Sequence, residues 1–300
     1  MGVDVTEPAT EISGTRVLPL TRALAAVIVP FLVVAWWILY LRPGDTEQLF
    51  AWPVRRSMTA MMLSAVYLGG AYFCIRVIWE RNWESVALGF LPVAGSASLM
   101  GVATILHWDL FTAGHLAFHV WAVLYFTTPF LVLATWWLNR RHAARQAAAG
   151  DRPSSAADGM TLTRRAQAVA GAIGVVGIGV ALSLFVWPEQ LQRVWPWPLS
   201  SLTARVMAAI FVLGGAGIGI ARDPRWRSAR LLVQVTWVML DLILLAVVLA
   251  WDDFDHGNVL TWEFVACLIL VLAGSAVPYR RLERDAAGPP SRRGRAGADG

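Results

Sequence analysis

The sequence predicts an all-α fold, a polytopic membrane bundle of eight transmembrane helices built as two parallel four-helix repeats. Three observations carry that expectation. Only 15% of the 300 residues are charged and 57% are hydrophobic, whereas a soluble domain carries nearer a quarter charged. Eight runs reach the length of about 20 apolar residues that a helix needs to cross a hydrocarbon core. Several motifs recur in unchanged order, offset by 142 to 145 residues.

The apolar runs lie near 22–41, 57–76, 85–106, 115–138, 165–186, 202–221, 231–250 and 258–278. The first is too long for the apolar part of a signal peptide, and no small-residue cleavage site follows it. Pro30 inside it predicts a kink. The organisation that follows is a cytoplasmic tail over 1–21, a first four-span repeat over 22–138 and a cytoplasmic linker over 139–164. A second four-span repeat covers 165–278, and a disordered basic tail covers 279–300. The linker reading rests on the small, polar, unpatterned stretch HAARQAAAGDRPSSAADG.

Arginine sets the orientation, since the chain has no lysine. With the N-terminus in the cytoplasm, twenty of the 25 arginines fall in inner segments and five in outer ones. The positive-inside rule then puts both termini in the cytoplasm of a bacterial plasma membrane. The arginine-rich inner segments would be drawn to anionic lipid at modest strength. Sixteen tryptophans fit the same picture, because indole rings favour the membrane–water interface.

The repeat is visible by eye. LTRALAAV at 20–27 is answered by LTRRAQAVA at 162–170, and Trp52-Pro53 by Trp197-Pro198. Leu68-Gly69-Gly70 is answered by Leu213-Gly214-Gly215, and HWDLFTAGH at 107–115 by AWDDFDHGN at 250–258. Four spans return the chain to its starting side, so both halves would share one orientation about an axis along the membrane normal. The Trp-Pro stretches read as interfacial helix starts, with Trp among the headgroups, Pro suited to the first turn, and Ser200, Ser201 or Thr203 as caps. The double glycines predict close helix approach. The Trp-Pro-Trp-Pro-Leu-Ser-Ser-Leu-Thr-Ala-Arg stretch (195–205), with Phe-Ala-Trp-Pro (50–53) and Leu-His-Trp-Asp-Leu-Phe (106–111), resembles a group of uncharacterised multi-span membrane proteins of GC-rich actinobacteria. The resemblance spans the membrane portion without the linker and tails. It implies the architecture and no reaction, cofactor or site residue.

Charged side chains inside spans are functional candidates by default. Arg205 lies about 6 Å and Glu263 about 9 Å below the outer boundary at 1.5 Å per residue. Both are absent from the matching first-half positions, so an Arg205–Glu263 ion pair is expected. Asp241, in the middle of WVMLDLILL, aligns with Ser98 of GSASLMG. It reads either as an uncharged carboxyl hydrogen-bonded to a neighbouring helix or as a proton-relay group. At the outer edge, His107, Asp109, His115 and His119 face a second acidic cluster of Asp252, Asp253, Asp255 and His256. Imidazoles with carboxylates are ligands for a divalent transition metal. His115 and His119, four apart, share a helix face, so haem ligation by two histidines would need an opposing helix. The competing reading is interfacial histidines bonded to headgroups and loops.

Other chemistry is missing from the sequence. It has no phosphate-cradling glycine loop, no Gly-x-Ser-x-Gly, no His-Glu-x-x-His and no paired-cysteine zinc pattern. Cys74 and Cys267 sit in apolar runs and read as small packing residues. The soluble segments are too short for a catalytic domain, which argues against an enzyme, and no nucleic-acid module is present. Three classes remain: a structural or assembly component, a small-solute or proton-coupled transporter, and a metal- or haem-binding redox protein. The transporter reading requires Asp241, Glu263, Ser98 and His119 to line one cavity between the repeats.

Overall fold

A computed structural model describes residues 15–149 and 160–287. Eight helices long and apolar enough to cross a membrane dominate it: α1 Pro19–Leu41, α2 Ser57–Trp79, α3 Ala87–Leu106, α4 Leu116–Ala148, α5 Arg164–Val186, α6 Ser201–Arg222, α7 Trp226–Leu249 and α8 Val259–Ala287. The chain is therefore a multi-pass membrane protein by the length and apolarity of its helices. Pro30 lies inside α1 without ending it. A four-residue stretch of 3₁₀ geometry, Val212–Gly215, interrupts α6 at its double glycine.

The helices associate first as hairpins, α1 on α2, α3 on α4, α5 on α6 and α7 on α8. The halves then interlock, because α2 packs against α7 and α6 packs against α3. These four form the middle of the bundle. Fifty-six per cent of the α2 span is buried inside the protein against 11% of α8, whose residues are left to face lipid. The seam between the halves is filled by apolar side chains, with Met58 and Leu63 of α2 and Met207 and Ala208 of α6 fully buried. Gly174 shows how close the α5–α6 contact is: a Cβ there would stand 2.8 Å from the Ile218 amide nitrogen and 3.1 Å from the Gly214 carbonyl. Small residues permit such backbone approach, which replaces a hydrophobic driving force within lipid.

The described loops sort to two ends. The loops before α2, α4, α6 and α8 meet at a Trp-Pro end, where the Thr112 amide donates to the Ala51 carbonyl and the Asp255 amide to the Pro196 carbonyl. The opposite end gathers the segments before α1, α3, α5 and α7. There Arg16 pairs with Asn82 and Thr161 with Arg225 in isolated bridges. Trp83 donates its amide to Thr15, and Trp226 does the same to Met160.

Helix starts are capped in two ways. The α5 and α6 starts are self-capped, Thr163 accepting from the Ala166 amide and Ser200 forming a reciprocal capping box with Thr203. Neither Leu18 nor Arg56, the residues before α1 and α2, provides a side-chain cap. Asn139 of α4 accepts from the Leu18 amide at 3.0 Å, and Asp253 accepts from the Met58 amide at 2.8 Å.

Several expectations change. The Trp-Pro tryptophans do not rest among headgroups: Trp52 is 2% and Trp197 1% exposed. They are packed inside, Trp52 against Phe111 and Trp121 and Trp197 against Phe254 and Phe264. The helix α4 does not stop at 138 but runs ten residues further, with Arg140 and Arg141 stacked over Trp136 and Trp137. Ala, Arg and Gln are strong helix formers, and Gly150 is the first breaker. Asn139, read as the first linker residue, is instead 1% exposed and donates to Thr21 at 2.6 Å. At the other end α8 continues to Ala287 rather than giving way to a tail at 279. The start of the N-terminal tail, the middle of the linker and the arginine-rich C-terminus lie outside the described residues.

Candidate functional site

The junction of α3 and α6 at the Trp-Pro end joins two of the singled-out residues. Arg205, half-buried on the second turn of α6, brings Nη1 to 2.6 Å from His107 Nε2 and donates Nε to the Phe185 carbonyl at 3.2 Å. A guanidinium can only donate, so His107 accepts through Nε2 and carries its proton on Nδ1. The imidazole is thereby held neutral: burial pushes its pKa down, the Arg205 charge adds to this, and Asp109 opposes it. The α2–α7 junction uses different chemistry. There Asp253 meets the α2 start, with Arg56 Nη1 at 3.5 Å, and Trp197 Nε1 donates to Thr59 Oγ1 at 2.9 Å.

The expected Arg205–Glu263 ion pair does not form. The two charges share a depth but not a side of the bundle. Arg205 faces α3 and α5, whereas α8 packs on α7. Glu263 is exposed in the first turns of its helix, where the N-terminal dipole favours an anion.

Asp241 is not bonded to a neighbouring helix either. It is exposed and, among the described residues, makes no hydrogen bond or ion pair. Met239, two residues earlier, contacts Gly69 of α2, and two residues turn a helix by about 200°. Asp241 therefore faces away from the bundle's middle, at a depth where a carboxylate costs about 2.5–3.5 kcal/mol. Ser98 is also exposed, its hydroxyl returned to the Ala94 carbonyl at 2.8 Å. His119 is exposed on α4. Asp241, Ser98, Glu263 and His119 are each exposed, and the seam between the halves is closed by side chains such as Leu63 and Met207.

Nor do the histidines and acids converge. Among the described residues no three His, Cys, Asp or Glu side chains lie close enough to hold a metal ion. Several are engaged elsewhere. His107 goes to Arg205, Asp255 accepts from the Gly257 amide at 3.0 Å, and the His256 ring packs tilted against Trp251, centroids 4.8 Å apart. Asp109 and Asp252 are exposed, and His115 keeps a buried Nδ1 without a partner.

The opposite end carries a polar network that the sequence did not single out. Arg76 donates to Gln234 at 2.9 Å and to Tyr72, and Gln234 donates to Tyr279, tying α2, α7 and α8 together. Arg225 holds Asp223 at 2.8 Å and Glu84 at 2.6 Å, bridging the α6–α7 and α2–α3 loops. Burial would raise the Asp223 pKa, but the hydrogen bonds and charge of Arg225 outweigh it and lower it. A cavity of about 230 Å³ opens beside this network, between Arg76, Glu80, Trp226, Arg230 and Glu283. Arg76 and Arg230 are already paired there, with Glu80 and Glu283. Compared with family models, curated proteins and solved structures, the chain matches none.

Proposed function

We propose that the chain is a structural or assembly component of a bacterial plasma membrane, made of two parallel four-span repeats with both termini cytoplasmic. The observation that carries this reading is the apolar, filled seam. Met58, Leu63, Met207 and Ala208 close the space where a transport path would run, and Asp241, Ser98 and Glu263 are exposed on the outside of the bundle. Duplication is supported by hydrogen bonds that recur at the sequence offset. Thr112 to Ala51 is matched by Asp255 to Pro196, and Trp83 to Thr15 by Trp226 to Met160. The interlock of α2 with α7 and α6 with α3 is what an axis along the membrane normal would produce. The cytoplasmic assignment rests on the arginine count, and the same arginines suit anionic headgroups. The resemblance to actinobacterial multi-span proteins stands on the Trp-Pro motifs and agrees with this architecture.

The test is a flux measurement. Purified protein in liposomes loaded with a pH-sensitive dye should pass protons under an imposed gradient no faster than empty liposomes. Flux above that background that disappears in Asp241→Asn would replace the assembly reading with proton-coupled transport.

A further inference from the structure

An assembly component needs a surface to offer, and α7 has one. Gln234, Val238, Asp241, Leu245 and Val248 follow one another at alternating spacings of four and three, the spacing of a helix–helix seam. Gln234 at its lower end is taken by Arg76 and Tyr279. From Asp241 upward the seam is open, with Leu245 47% and Val248 69% exposed. Asp241 stands eight residues from the end of α7 at Leu249, about 12 Å below it. Its side chain is too short to reach the interface from there, as a lysine or arginine would by snorkelling.

We infer that this face of α7 docks a transmembrane helix of another protein, one carrying a single arginine or lysine level with Asp241. Charge complementarity selects the occupant, since lipid tails offer the carboxylate nothing. A second copy of this chain does not supply the cation. Its arginine in that half of the membrane, Arg205, is held inside the bundle by His107 and Phe185, and Arg76 and Arg230 belong to the opposite end. The helix seam also separates this occupant from a headgroup, which would not reach a stripe extending about 10 Å along the helix from Asp241 to Val248. The α3 face is an internal comparison. Leu91, Gly95, Ser98, Val102 and Ile105 repeat the spacing, with Ser98 in place of the acid. The inference rests on the assembly reading, and it names the chemistry of the partner.

The probe is a synthetic leucine–alanine transmembrane peptide with one arginine at the matching depth, labelled for energy transfer to the full-length protein in nanodiscs. A peptide with leucine in place of the arginine is the control. Association of the arginine peptide should be about tenfold tighter than that of the control, the scale of one interhelical polar contact in lipid. Asp241→Asn should abolish the difference and Asp241→Glu should retain it, while both variants keep the wild-type helical circular dichroism. Equal binding of both peptides, or undiminished preference in Asp241→Asn, overturns the inference. So does Asp241-dependent self-association of the chain in the absence of peptide, which would assign the face to a second copy. Failure here without proton flux in liposomes leaves the assembly reading in place; flux removes that reading whatever the peptide does.

Discussion

Replacing Asp253 by alanine tests how the two halves are held together. Its carboxylate accepts from the Met58 amide at 2.8 Å and faces Arg56 at 3.5 Å, so one side chain from the α7–α8 loop caps a helix 195 residues away in sequence. Loss of an N-cap costs about 1 kcal/mol, within a range of about 0.5–2. The ion pair adds little, because Arg56 is 45% exposed and such pairs are worth about 0.2–1 kcal/mol before screening. Asp253→Ala should therefore destabilise the protein by about 1–2 kcal/mol. Asp253→Asn keeps a cap acceptor and should lose no more than about 0.5 kcal/mol. Both are read from sodium dodecyl sulfate titrations in mixed micelles, followed by tryptophan fluorescence, with Arg56→Ala made in parallel to isolate the ion pair. An Asp253→Ala protein within about 0.3 kcal/mol of wild type would refute capping across the halves. So would an asparagine variant as damaged as the alanine one.

Three further outcomes follow from the same geometry. Thr59→Val strands the Trp197 indole N–H in a fully packed site and should cost about 1–3 kcal/mol; adding Trp197→Phe should cost less than the sum of the two single losses in a double-mutant cycle. Gly174→Ala, with backbone atoms at 2.8 and 3.1 Å, should lose about 1–3 kcal/mol, whereas Gly179→Ala on the same helix, which meets nothing within 4 Å, should not be destabilised by crowding. His107 is more easily kept neutral in the folded protein than in the unfolded chain. Its contribution is therefore complete above the unfolded pKa of about 6.5 and is lost as pH falls below it. The unfolding midpoint should drop more between pH 8 and pH 5 for wild type than for His107→Gln, whose amide oxygen still accepts from Arg205.

What was legible in the sequence is what depends on local solvent preference. Span number and rough boundaries follow from runs of apolar residues, since each helix must satisfy its own backbone in lipid. Ser200 and Thr203 announce their capping box within four residues. Depth was legible too, and both Arg205 and Glu263 lie near the Trp-Pro end. Azimuth was not. Which side of the bundle a charge faces depends on how hairpins interlock, and no local pattern encodes that α6 meets α3 while α8 meets α7. The same gap hid the arginine–histidine contact and made a metal cluster look plausible from residues that point to different partners. Asn139 was hidden for another reason. The arginines after it resemble a loop, yet they prolong α4 and leave the asparagine facing the start of α1.

The two capping modes carry a consequence for how the halves depend on each other. Thr163 and Ser200 satisfy the α5 and α6 starts from within their own turns. The α1 start borrows Asn139, still inside the first half, but the α2 start borrows Asp253, made near the end of the chain. Under the proposed duplication, α2 and α6 are counterparts with opposite needs, so the first half is the dependent one at this junction. Hydrogen exchange separates the two modes in a single variant. In Asp253→Ala the amides of the first turn of α2, Met58 above all, should exchange faster. The Thr203 amide, bonded to Ser200 at 3.2 Å, should keep its wild-type rate. If both starts loosen together, Asp253 acts by holding the whole Trp-Pro end closed rather than by capping one helix, and the dependence belongs to both halves alike.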